Sequence, residues 1–185
     1  GNSGGNFGHI VFDTINLQNV APNYDYTPPF LFKISGRIDS LTLKSITHAG
    51  TPDARPVLDL SHVRWTWSEE TKAREDDHTD IQSLVIDGLK IMDTIGHEQA
   101  EYIILNGKIG HFALRHAEAM NLSQTRSDGC LLCVKESADI GTLILHNVYT
   151  SGLGNAVRME GGHVRLLQAD QLLCDTLSGT ALSFT

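Results

Sequence analysis

The 185-residue chain is poor in most features that announce a function. It has three cysteines, five prolines and an aromatic content of 6%. An odd, small number of cysteines excludes a disulfide framework. No apolar run approaches the ~18 residues needed to cross a bilayer as a helix. The opening GNSGG has neither a basic stretch nor an apolar one, so residues 1–6 read as a disordered or tag-like leader with no signal peptide. Basic charge is also scarce: 14 Lys and Arg against 22 Asp and Glu give a net charge of −8. That balance argues against nucleic acid or an anionic membrane as a partner. No glycine-rich phosphate loop and no nucleophile elbow are present.

Cys130 and Cys133 form a C-x-x-C within GCLLCV. On a regular strand, residues three apart point to opposite faces, and no second Cys or His pair stands at ligand spacing. No metal and no cofactor are expected on this reading. The nine histidines are scattered and read as solvated or turn residues.

What the chain does have is a repeat. Apolar residues recur in the order apolar, two residues, apolar, one residue, apolar, two residues, apolar. Six copies start at Phe7, Ile38, Ile81, Ile109, Ile140 and Val164, hence 31, 43, 28, 31 and 24 residues apart. All 24 specified positions are apolar, which chance does not produce at 41% hydrophobic content. The fourth and sixth residues of each copy share a face, as in a strand, where alternate residues point the same way. The two-residue gap before the last apolar position breaks the alternation, so the chain must bend there. A further apolar pair follows in each copy: Phe32 and Ile34, Leu58 and Leu60, Ile103 and Leu105, Leu132 and Val134, Val157 and Met159, Leu182 and Phe184. Three short strands per repeat, stacked in register, predict an all-β solenoid of about six coils over residues 7–185. Nothing sustains a helical period.

The units IDSLTLKSI, IQSLVIDGL and IGTLILHNV carry a resemblance to the right-handed parallel β-helix, or pectin-lyase-like, superfamily. The resemblance spans essentially all of residues 7–185 and implies a carbohydrate-directed, extracellular protein with a polysaccharide or glycan as partner. It implies a scaffold or glycan-contact surface within a larger chain with flanking domains. A polysaccharide lyase or glycoside hydrolase, or a structural shaft of the tail-spike or adhesin kind, are the alternatives. Asn-Thr-Asp, Gly-His-Gly and Arg-Ile-Lys, by which such enzymes resemble one another, do not occur in this sequence.

Three regions offer contact chemistry. Residues 61–80 form the longest excursion from the repeat and carry Trp65 and Trp67 ahead of a mixed-charge run. Flat indoles stack on sugar faces, and they also pin loops to a flank, the reading favoured here because large aromatics are normally buried. Tyr24 and Tyr26 flank Asp25 in the first inter-strand loop and are candidate ligand contacts of the same kind. The bend position forms a column of Asp13, Lys44, Asp87, Arg115, His146 and Asp170. Asp87 is the candidate acid or base there, with Arg115 and His146 beside it. The plainer reading is an exposed charge ladder worth little per pair.

Overall fold

The structure, a computed structural model, describes residues 6–18, 32–34, 36–49, 56–61, 64–68, 70, 73–77, 79–92, 101–120, 129–175 and 180–184. Fourteen strands account for most of them. Six are 13 residues long: β1 (Asn6–Gln18), β3 (Arg37–Ala49), β7 (Asp80–Met92), β9 (Lys108–Met120), β11 (Asp139–Ser151) and β13 (His163–Asp175). Six are short: β2 (Phe32–Lys33), β4 (Leu58–Asp59), β8 (Glu101–Leu105), β10 (Cys130–Val134), β12 (Asn155–Met159) and β14 (Thr180–Phe184). The last two are β5 (Arg64–Ser68) and β6 (Ala73–Asp77).

The long strands make one six-stranded sheet in the order β1-β3-β7-β9-β11-β13, and the short ones make a second in the order β2-β4-β8-β10-β12-β14. Every pairing within these two sheets is parallel. The chain therefore alternates between the sheets, adding one strand to each per repeat. The repeat positions fall into register. Phe7, Ile38, Ile81, Ile109, Ile140 and Val164 pair in succession across the first sheet. Phe32, Leu58, Ile103, Leu132, Val157 and Leu182 do the same across the second.

The expected bend is present, with a consequence the spacing did not reveal. One residue in each long strand takes positive φ at the same repeat position: Thr14, Ser45, Gly88, His116, Asn147 and Gln171. A single left-handed residue turns the strand without ending its ladder, since pairing resumes at once with Ile15 on Ile46 and Val148 on Leu172. The first two strands anticipated per repeat are thus one continuous bent strand. Left-handed backbone costs an L-residue roughly 1–2 kcal/mol, so a common bend at this position is imposed by the stack.

Both sheets turn their apolar faces to a single core. In the four inner repeats the motif residues are at most 2% exposed, as at Leu41, Leu84, Phe112 and Leu143. In the end repeats they are not: Phe7 is 54% and Phe12 37% exposed, and Val164, Leu167 and Leu172 are only half-buried. A rung with a neighbour on one side only cannot bury its apolar residues as the inner rungs do.

Register is reinforced by charge. The residue opening each long strand alternates as Arg37, Asp80, Lys108, Asp139 and His163 down the sheet, and Arg165 donates to the Asp139 carboxylate at 3.2 Å.

The excursion at 61–80 contains an antiparallel hairpin of β5 and β6, with Trp65 opposite Asp76 and Trp67 opposite Arg74. The strongest hairpin dipeptide of the sequence, Asn106-Gly107, instead forms the corner between β8 and β9. Gly107 has φ +78°, and a Cβ there would lie 2.4 Å from the Thr79 carbonyl oxygen.

Candidate functional site

Among the described residues two clusters carry chemistry, one on each sheet. The first is the bend column. Asp13, Lys44, Asp87, Arg115, His146 and Asp170 pair residue by residue across the six strands, as their repeat position requires. Their partners differ from the simple ladder. The Asp87 carboxylate accepts from Nδ1 of His116 at 2.8 Å, one residue past its register partner Arg115. The left-handed φ of 49° at His116 redirects this side chain out of strict alternation. His146 Nδ1 donates to Asp170 at 3.1 Å, and the His116 and His146 rings meet edge to face with centroids 5.7 Å apart.

The result is a row running carboxylate, imidazole, imidazole, carboxylate across four strands. Beside it lies an open depression of about 860 Å³ whose polar lining is Arg115, His116, His146, Gln168 and Asp170. A carboxylate only accepts, so each pair holds its proton on Nδ1 and leaves Nε2 of the neutral ring as an acceptor. That arrangement suits hydrogen bonding to hydroxyl groups and, chemically, proton abstraction from one. Arg115 is the register partner of both Asp87 and His146, while His146 bonds through Nδ1 to Asp170. His116 and Asp170 complete the row; Asp170 already stood in the column, whereas His116, one residue beyond it, did not, and the hydrogen bonds of neither were visible in the sequence.

The second cluster lies on the second sheet. Glu101 on β8 and Cys130 on β10 are register partners, as are Cys133 and Arg158 of β12. Contrary to strict alternation, Cys130 and Cys133 share a face. Pairing passes from Cys130 to Leu132 and skips Leu131, while Leu131 and Leu132 both join the core. Tyr102 and Ala156 are skipped in the neighbouring strands in the same way and are also in the core. Two successive inward residues place both flanking cysteines on the opposite face.

One ligand atom from each of Glu101, Cys130 and Cys133 lies within 4.8 Å of the others, and this is the set able to hold a metal among the described residues. Glu101 Oε1 accepts from Lys135 Nζ at 2.8 Å and from the Arg158 guanidinium. Glu160 completes the network through Lys135 at 2.9 Å and Arg158 Nε at 2.8 Å.

The Cys130 thiol hydrogen-bonds to Cys133, which with burial pushes Cys130 well above the ordinary thiol range. The same bond lowers Cys133, assisted by Lys135 and opposed by burial and by Glu101. Burial also opposes charge on Lys135, but its bonds to Glu101 and Glu160 outweigh that and hold the ammonium above its usual range.

Tyr24 and Tyr26 lie outside the described residues, and of Trp65 and Trp67 only the backbone, in β5, is described. No family model matches the chain, and neither a curated protein nor a solved structure matches it.

Proposed function

We propose that the chain is a parallel β-helix of six coils, of the right-handed pectin-lyase-like kind, serving within a larger secreted protein as a scaffold with a glycan-contact surface. Supporting the solenoid reading is the strict alternation of consecutive strands between two parallel sheets in one shared order. Right-handedness follows the general rule for parallel crossovers.

The single observation carrying the glycan reading is the polar depression beside the Asp87–His116 and His146–Asp170 pairs. It presents guanidinium, imidazole, amide and carboxylate groups on neighbouring strands, at steps of about 4.8 Å. Such a surface bonds hydroxyls and uronate carboxylates without requiring a deep cavity, and its extent across several strands suits a polymer. Catalysis is the second reading, resting on the Nδ1-anchored imidazoles as bases, with Arg115 for a developing negative charge. The two imidazole–carboxylate pairs favour binding over cleavage, because each carboxylate is already engaged by a histidine.

Affinity electrophoresis against neutral and acidic polysaccharides tests the reading, with release of reducing ends and unsaturated uronates followed in parallel. Retardation by at least one polysaccharide, weakened at least tenfold in His116→Ala with His146→Ala, is the expected result, with no cleavage. Cleavage lost in Asp87→Asn would establish the enzyme instead. Absence of retardation by every polymer would remove the glycan and leave a structural shaft.

A further inference from the structure

We propose that Glu101, Cys130 and Cys133 form a binding site for one thiophilic metal ion of the zinc class on the outer face of the second sheet. The argument begins with distance. Their ligand atoms already lie within 4.8 Å of one another. A tetrahedral ion with sulfur at ~2.3 Å and oxygen at ~2.1 Å needs its ligands about 3.5–3.8 Å apart. Side-chain rotation of roughly 1 Å closes the set, with the strands unmoved.

Ligand chemistry narrows the ion. Two sulfurs select zinc, cadmium or cuprous ion over magnesium or calcium, which take oxygen. A disulfide is the competing use of two neighbouring thiols, but both cysteines are free, and the third ligand atom, from Glu101, lies beside them.

The surroundings are those of a supported site. Lys135 and Arg158 tie Glu101 to Glu160 and fix the orientation of the carboxylate, the task of outer-shell partners in metal sites. These two cations balance the two carboxylates, so a dication entering with two thiolates leaves the cluster neutral. Both cysteines are fully buried, whereas the Lys135 and Glu160 side chains are 27% and 34% exposed. The ion therefore enters from the Lys135–Glu160 rim. Three protein ligands leave a fourth position for water or a small ligand.

The test uses the whole chain, reduced and freed of metal, titrated with cobalt(II) and then competed with zinc. Expected are one equivalent bound, a sulfur-to-cobalt charge-transfer band, and its loss on adding zinc. Cys130→Ser and Cys133→Ser should each abolish the band. Cys174→Ser should keep it, and Glu101→Gln should keep it with affinity at least tenfold weaker. Alkylation by iodoacetamide without any substitution provides a second measurement: zinc should slow labelling of Cys130 and Cys133 at least tenfold and leave Cys174 unchanged. A missing band in the wild-type chain, a band that survives Cys130→Ser, or labelling that ignores zinc would overturn the proposal.

Discussion

Replacing Leu143 by Ala tests the stacked core most directly. Leu143 is fully buried on β11, with Phe112 of β9 and Leu167 of β13 as its register partners. The substitution removes about three carbon groups, worth roughly 0.8 kcal/mol each in transfer. The strands on both sides hold the site open, so a cavity remains and adds up to about 2 kcal/mol. The expected cost is therefore about 2–5 kcal/mol. Leu167, one strand further on, is already half-buried at the end of the sheet, and its truncation should cost only about half as much. Thr142, adjacent in the chain and facing outward, should cost less than about 0.5 kcal/mol as Ala. Urea unfolding followed by circular dichroism reads all three as a fall in midpoint at constant slope. For a chain of this size a loss of 3 kcal/mol also lowers the melting temperature by about 6–12 °C. Equal effects at Leu143 and Thr142 would refute the inward and outward assignment. Equal effects at Leu143 and Leu167 would refute the open-ended stack.

Far-ultraviolet circular dichroism should show strand with almost no helix, and a helical content above about a quarter would contradict the architecture. Gly141→Ala should destabilise by roughly 1–3 kcal/mol, because its Cβ would lie 2.4 Å from the backbone oxygen of Gly110; a neutral result in thermal melts would show that the two strands move apart freely. Thr150→Val should be neutral or raise stability by about 1 kcal/mol, since the Thr150 hydroxyl is fully buried without a hydrogen-bond partner among the described residues; clear destabilisation would mean that the hydroxyl is used. Burial tends to raise the Glu160 carboxyl, but Lys135 and Arg158 outweigh it and hold the group below its usual range. Its contribution is therefore complete above about pH 4.3 and lost as pH falls through the lowered value, so Glu160→Gln should flatten the acid limb of stability against pH; an unchanged limb would remove the group from that balance.

The repeat was legible in the sequence because its cause is local and periodic. Each of Ile38, Leu41, Leu43 and Ile46 is apolar for the same reason as its counterpart in the next copy: stacking puts identical positions one strand spacing apart. The same logic aligns Asp87 with Arg115 and His146 from the sequence alone. What alternation alone could not show is where it fails. At His116 a left-handed residue turns the side chain to Asp87 in place of the register partner. Nothing in the residue type demands that, since the left-handed position, one residue beyond the bend column, accepts Thr, Ser, Gly, His, Asn and Gln alike. At Cys130 the run CLLCV is apolar throughout and buried at every position, so the pattern holds no mark of which residue faces inward twice. Neighbouring strands decide it: Tyr102 and Ala156 enter the core beside Leu131, and the two thiols are left together against Glu101. Periodicity determined the columns of this protein; packing between strands determined which side chains within them meet, because a strand's facing is settled by the surfaces on either side of it.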